Sequence, residues 1–215
     1  MSDSQNCVVI IDDHPLFRKG AVQLVEMEGS LGVALEAASG KEGIALANRH
    51  KPELILLDLN MKGMDGLETL KALRENECDA RIIILTVSDN EEDVLSALRA
   101  GADGYLLKDM EPEDIAVELH RAAQGHIVLS DHTSQLIARS LREKTSPKDT
   151  GQAGLTAREI DILKLVSRGM SNKLIARELG IVVGTVKVHV KHVLRKLSLN
   201  SRVEAAVWAI EHLGN

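Results

Sequence analysis

Four apolar runs along the chain end in residues that can do chemistry together. Val8-Val9-Ile10-Ile11 leads into Asp12-Asp13, and Leu54-Ile55-Leu56-Leu57 into Asp58. Ile82-Ile83-Ile84-Leu85 leads into Thr86, and Tyr105-Leu106-Leu107 into Lys108. Three carboxylates gathered in one place repel one another and raise the pKa of at least one. A hard cation with oxygen ligands removes the conflict, and Mg2+ suits a site with few protein ligands and an incoming phosphate. Asp58 could then attack phosphorus as a nucleophile, giving an aspartyl phosphate. Thr86 and Lys108 would supply a hydroxyl and a cation for the phosphoryl oxygens. Helix capping or solvation would account for either acidic cluster alone. That account weakens when four run ends carry a set suited to one phosphoryl group.

These residues meet only if the runs are neighbouring strands. Runs without polar alternation read as strands buried on both faces, as in a parallel sheet. Carboxylates just past their ends then sit at the C-terminal edge, where open α/β folds place their chemistry. Helix-period segments fill the gaps. Pro15 suits a first turn, with Leu16, Gly20 and Leu24 following. Val33–Ala37 reads as a second strand, and 40–49 and 67–74 as helices. Ser88-Asp89-Asn90-Glu91 reads as a capping box for a fourth helix with Val94, Leu95 and Leu98 on its buried stripe. Pro112 opens a fifth, Pro112–Ala123. Five βα units with right-handed crossovers predict a five-stranded, doubly wound parallel sheet in the flavodoxin-like order 2-1-3-4-5. The first turn, Asp12-Asp13-His14-Pro15, has no glycine, which excludes a dinucleotide fingerprint or P-loop there. His14 reads as a helix-start residue.

Over residues 6–125 this set resembles the receiver domain of two-component response regulators: an acidic pair after the first strand, Asp after the third, Thr after the fourth, Lys after the fifth. The resemblance implies that Asp58 is the phosphoacceptor. It implies Mg2+ held by the side chains of Asp13 and Asp58, by the backbone carbonyl of Asn60, and by Asp12 through water. Thr86 and Lys108 would bind the phosphoryl oxygens, and Tyr105 matches the aromatic switch position. The implied phosphodonor is a sensor histidine kinase. The chain would not be a turnover enzyme, although it would dephosphorylate itself. Two positions depart from the usual pattern, Lys62 and Asp109, where many receivers carry Pro. A Mg2+-dependent phosphohydrolase also uses a nucleophilic Asp, but it usually carries a second acid two residues on. Asn60 stands there and cannot act as that acid.

The 215 residues leave room for one large or two small domains. Phe17, Tyr105 and Trp208 are the only aromatic residues, so the cores must be aliphatic. The net charge of −6 is divided: residues 1–140 carry 13 Lys/Arg against 25 Asp/Glu, and residues 141–215 carry 13 against 7. An acidic module joined to one that meets polyanions is the reading. Cys7 and Cys78 share no metal or redox spacing and read as reduced thiols. With no signal peptide and no run long enough to span a membrane, a cytoplasmic protein is expected. Residues 126–152 read as a linker, with a helix over 130–142 (Leu136, Ile137, Leu141) before a polar stretch, 143–152, that carries Pro147 and Gly151.

The module over 153–215 reads as four helices. Thr156 and Glu159 make a capping box, with Leu155 and Ile160 as its staple pair, for a helix over 156–167 that stops at Gly169. Asn172–Glu178 is a short helix ending near Gly180, and 185–197 is the next. Ser201 and Glu204 box the start of a last helix to Leu213. Two short helices across a tight Gly-containing turn make a helix-turn-helix candidate. On the second, Val186, Val190, Val193 and Leu197 form a core stripe. Lys187, Lys191 and Arg195 form a basic stripe with no acid in the segment. Lys187 and Lys191 could reach guanine or phosphate, and Val188 a thymine methyl, which makes double-stranded DNA the expected partner. RNA or single-strand binding would want stacking aromatics, and only Trp208 is present, on another helix.

Leu155-Thr156-Ala157-Arg158-Glu159, Ser171-Asn172-Lys173-Leu174-Ile175-Ala176 and Thr185-Val186-Lys187-Val188-His189 make this module similar to the DNA-binding domain of LuxR-type regulators. The resemblance implies that the helix carrying Thr185, Lys187, Val188, Lys191 and Arg195 enters a DNA groove. Val182 and Val183 stand where the family has a polar cap, so Gly184 is expected to cap instead. Across nearly the whole chain the sequence resembles the nitrate/nitrite response regulators. That implies a transcription regulator of anaerobic respiration genes, whose receiver covers the recognition helix until phosphorylation. Phosphorylation would then release a homodimer formed through the last helix. In this expected switch Thr86 moves toward the phosphoryl group and Tyr105 follows into the vacated space.

Overall fold

Five strands form where the apolar runs stand: β1 (Cys7–Ile11), β2 (Val33–Ala37), β3 (Leu54–Leu57), β4 (Arg81–Thr86) and β5 (Gly104–Leu107). Five helices alternate with them: α1 (Pro15–Glu28), α2 (Gly40–His50), α3 (Gly66–Glu75), α4 (Glu91–Arg99) and α5 (Pro112–Ala123). The computed structural model describes residues 7–29, 31–124, 126–144 and 154–213. Every ladder pair is parallel, in the order β2-β1-β3-β4-β5-β6.

The sheet therefore has six strands, where five were expected. The sixth, β6 (Val128–Leu129), pairs with β5 in the segment read as linker. Two apolar residues are too short a run to announce a strand, yet they cover the open edge of β5. Gly104 makes the approach possible, because a Cβ there would lie 2.7 Å from the Val128 carbonyl oxygen.

Side chains alternate across the sheet with a period of two. Val8, Ile10, Leu56, Ile83 and Leu85 pack with Val25 of α1 and Leu119 of α5 on one face. Val9, Ile11, Ile55, Leu57, Ile82 and Ile84 pack with Leu70 and Leu73 of α3 and with Val94 and Leu98 of α4 on the other. Each fully buried aliphatic contributes about 2 kcal/mol relative to exposure.

Helix starts follow local chemistry, with one correction. Asp65 and Glu68 form a reciprocal capping box on α3. The expected box from Ser88 to Glu91 does not form, and Asn90 caps α4 by accepting from the Glu92 amide at 2.8 Å. Ser88 is otherwise engaged: its hydroxyl donates to Asp93 (2.5 Å) and its carbonyl accepts from Tyr105.

After β6 the chain continues as α6 (Asp131–Lys144), α7 (Ala157–Ser167), α8 (Asn172–Glu178), α9 (Val183–Lys196) and α10 (Arg202–Leu213). From residue 145 the expected polar linker lies outside the described residues. Thr156 and Glu159 form the anticipated box. Burial pushes the Glu159 carboxyl up, but bonds from Lys196 and Thr156 outweigh it and hold the group at about 2. Gly184 does not cap α9. The helix begins at Val183 after an extended Val182 that offers no side-chain cap. Val186 and Val193 are buried as the stripe requires, but Val190 is only half-buried and faces a cleft toward the sheet. Helix α10 lies against α7, α9, α6 and α4, and its apolar side joins the core cluster that runs on to the α4 face of the sheet. Among the described residues no helix is long and apolar enough to cross a membrane. Cys7 and Cys78 are free thiols.

Candidate functional site

The four run ends converge at the C-terminal edge of the sheet. Strands β1, β3, β4 and β5 are consecutive neighbours, so the residues that follow them stand side by side. Asp12 and Asp58 are 3% and 2% exposed, and Thr86 is fully buried. Lys108 Nζ sits between the two acids, 2.7 Å from Asp12 Oδ2 and 2.7 Å from Asp58 Oδ2. The ring of Phe17 lies 4.5 Å beneath that ammonium, and Arg18 donates to the Asp12 carbonyl at 2.7 Å. Sequence reasoning missed both. Their only signal was their place on the first turn of α1, directly after the acidic pair.

Asp58 Oδ1 accepts from the Asn60 amide at 3.2 Å, and the Asn60 side chain reaches the Thr86 hydroxyl at 3.4 Å. Asp13 Oδ2 accepts from the Lys62 amide at 3.0 Å. Its other oxygen is buried and makes no hydrogen bond, although His14 Nδ1 lies 3.0 Å away. His14 is thus more than a helix-start residue. Its ring stands over the cluster, and ligand atoms of Asp12, Asp13, His14 and Asp58 all lie within 4.8 Å of one another. An orphaned carboxylate oxygen among hard oxygen donors fits a divalent cation such as Mg2+. The close approach of α3 helps shape the floor, because a Cβ at Gly66 would sit 2.1 Å from the Asp58 carbonyl oxygen.

Tyr105, the expected switch residue, lies behind the Thr86 loop. Its ring is already buried at 2% exposure, with its hydroxyl donating to the Ser88 carbonyl at 2.8 Å. Burial first, and then Asp93, push its pKa up. The described contacts link Thr86 to Tyr105 through the 86–88 loop. The Ser88 amide contacts the Thr86 hydroxyl at 3.4 Å, and the Ser88 carbonyl holds Tyr105.

The candidate DNA-contact residues lie on α9. Val188 is 52% exposed, and Lys191 and Arg195 are exposed. Lys187 instead points toward the sheet and pairs with Asp79 at 2.9 Å. Thr185 is half-buried in the first turn, its amide donating to the Val182 carbonyl.

A second group of charges, absent from the sequence reading, joins the two parts at the opposite edge of the sheet. Arg81, 9% exposed, donates to the Gly169 carbonyl beyond α7 at 2.8 Å and to the His126 carbonyl. Arg74 pairs with Asp103 at 2.6 Å. Arg202 donates to Asn172 at 2.9 Å and to the Met170 carbonyl. Burial raises the Asp103 carboxyl, but Arg74, Arg81, the Ile82 amide and Arg202 together outweigh it and leave it lowered. Burial pulls Arg202 down to about 10 despite Asp103.

Comparison with known proteins agrees with both halves. Residues 8–120 match the model of the response regulator receiver domain, and residues 153–209 match that of the bacterial regulatory proteins of the luxR family. The chain belongs to the response regulators with a LuxR-type DNA-binding output domain. Among curated proteins it is 55% identical to the nitrate/nitrite response regulator protein NarL of Escherichia coli K12, over 94% of this chain and 93% of that one. It is 46% identical to the nitrate/nitrite response regulator protein NarP of the same strain, over 96% and 95%. Among solved structures it resembles the response regulator ChrA of a heme-sensing two-component system, with 30% identity, a TM-score of 0.51, and 97% and 98% of the two chains covered.

Proposed function

We propose that this protein carries a phosphoryl group on Asp58 and converts it into DNA binding by α9, in the control of nitrate- or nitrite-responsive genes. The observation that carries the proposal is the buried Asp58 carboxylate, held by Lys108 and neighboured by the orphaned Asp13 oxygen. An Asp58 oxygen attacks the phosphorus of a phosphohistidine on a sensor kinase. The P–N bond breaks, and the histidine keeps the electron pair and takes a proton. Mg2+, held by Asp13 and Asp58 side chains, the Asn60 carbonyl and, through water, Asp12, would neutralise charge on the transferring oxygens. Lys108 and Thr86 would bind those oxygens afterwards. Thr86, drawn toward the new anion, would release the Ser88 amide, and the loop holding Tyr105 would shift with it. Hydrolysis of the acyl phosphate by the chain itself would reset the switch.

The reading divides the chain into a receiver over 6–125, a connecting segment over 126–152 and an output domain over 153–215. Before phosphorylation the Lys187–Asp79 pair holds part of α9 against the receiver, which blocks entry into a groove. Release would let Thr185, Lys187, Val188, Lys191 and Arg195 meet DNA. It would also uncover α10 for a homodimer, in a cytoplasmic protein. Incubation of the full chain with Mg2+ and a small phosphodonor should give stoichiometric labelling at Asp58 and tighter binding to a promoter duplex. Labelling without any gain in DNA affinity would sink the coupling, and catalytic turnover of the donor would point to a phosphohydrolase.

A further inference from the structure

At the carboxylate edge His14 has no part in the function proposed above, yet it stands beside the acid atom that lacks a hydrogen bond. Its Nδ1 lies 3.0 Å from Asp13 Oδ1, 3.6 Å from Asp12 Oδ1 and 3.9 Å from Asp58 Oδ2. Asp12 Oδ1 accepts from the His14 amide at 2.8 Å, and Asp58 Oδ2 from Lys108 at 2.7 Å. Asp13 Oδ1 is buried and accepts nothing. A ring N–H aimed at it from 3.0 Å would be a good hydrogen bond. The nitrogen and the oxygen are therefore close without being aimed at each other. Two donors that both face an ion beside them have this relation. Around an octahedral ion with bonds of about 2.1 Å, adjacent donors lie about 3.0 Å apart and opposite donors about 4.2 Å. All three distances from Nδ1 fall within that span. The backbone of His14 is held by its amide bond to Asp12 and by Pro15, which starts α1 directly after it. Its side chain is 67% exposed, so a small turn of the ring toward an ion needs no repacking.

We propose that His14 Nδ1 is a further ligand of the divalent cation at this site, and that it makes the site prefer a first-row transition ion such as Mn2+ to Mg2+. The proposal rests on the reading of the carboxylate cluster as a cation site. Mg2+ is a hard ion that takes oxygen donors and gives up water reluctantly. An imidazole nitrogen adds little to its binding, whereas it suits first-row transition ions. Asp12, Asp13 and Asp58 offer oxygen alone, and His14 is the one nitrogen ligand in the described cluster. The preference therefore falls on this side chain. A His14 that served only as a positive charge beside the acids would act differently, because it would compete with every divalent cation alike.

The test uses the unphosphorylated full chain at about pH 8, where protons compete little with a metal for imidazole. Mn2+ and, separately, Mg2+ are titrated in by calorimetry. The Mn2+ complex is then read by electron–nuclear double resonance on protein grown with nitrogen-15 histidine. A hyperfine coupling between Mn2+ and a histidine nitrogen is expected in the wild-type chain and should vanish in His14→Ala. That variant should bind Mn2+ about tenfold more weakly and change Mg2+ binding less than about twofold. The side chain is exposed, so the unfolding midpoint without metal should stay at the wild-type value. Absence of the coupling from the wild-type chain overturns the proposal, whatever the variant does. So does a coupling that persists in His14→Ala, or an affinity change that is equal for the two ions. Saturable binding of both ions without the coupling removes His14 alone from the site. No saturable binding of either ion removes the cation site with it.

Discussion

At the C-terminal ends of the strands, Asp12, Asp13 and Asp58 cluster, with Lys108 bridging Asp12 and Asp58. At the N-terminal ends of β4 and β5, Arg74, Arg81 and Arg202 surround the Asp103 carboxylate. The same two strands connect the clusters: β4 begins at Arg81 and ends at Thr86, and β5 runs from just after Asp103 to just before Lys108. About 16 Å of extended chain separates the two ends. Among the described residues the first cluster is mainly acidic and the second mainly basic, and they differ in effect. The carboxylate edge can take up a cation and a phosphoryl group. The guanidinium edge meets the C-terminal helices, through Arg81 and the Gly169 carbonyl. Desolvation opposes burying Arg81 and Arg202, and their bonds to carbonyl and amide oxygens and the field of Asp103 offset it.

The largest effect should come from Asp58→Asn, which removes the nucleophile but keeps the shape. Acyl-phosphate labelling should fall at least 100-fold, and unchanged labelling would move the phosphoacceptor elsewhere. Next is Lys108→Met, which leaves Asp12 and Asp58 buried without their cation. Urea unfolding without metal should show a loss of about 3 kcal/mol, partly restored by Mg2+. If the loss is absent, the two edges are not balanced as described. On the opposite edge, Asp103→Asn removes the carboxylate that Arg74, Arg81 and Arg202 surround. It should lower stability by about 2 kcal/mol and raise DNA affinity of the unphosphorylated chain several-fold, read by fluorescence anisotropy. Stability that falls while DNA affinity stays constant would separate this cluster from docking.

The ion pair of Glu159 with Lys196 gives a measure within the C-terminal part alone. Its carboxyl is lowered from 4.5 to about 2. The stabilisation is therefore complete above pH 4.5 and is lost as pH falls toward 2. A series of thermal midpoints should show that slope, and Glu159→Gln should flatten it. The smallest effect is a gain: Val182→Ser supplies the cap that α9 lacks and should add about 1 kcal/mol without touching either cluster.

Much of this was legible along the chain because the signals are local. A run of β-branched and aliphatic residues ending in Asp, Thr or Lys needs no knowledge of distant residues to read as a strand with a functional tip. Asp65 with Glu68 and Thr156 with Glu159 work within one helical turn. Where the local signal was weak or shared, the reading slipped. Ser88 could cap α4, but its hydroxyl bonds Asp93, and Asn90, directly before the first helical residue, does the work. Strand β6 is two residues long and exists because β5 left an edge beside Gly104.

The sequence by itself determined which residues stand at the carboxylate edge, the alternation of strands and helices, and the cationic character of α9, because these follow from spacing over a few residues. Only the tertiary structure decided that Arg81 reaches a carbonyl 88 residues away, that Lys187 spends its charge on Asp79, and that Tyr105 is already inside. Such contacts depend on how finished elements pack, and packing is set by the summed burial of both parts rather than by any short stretch of either.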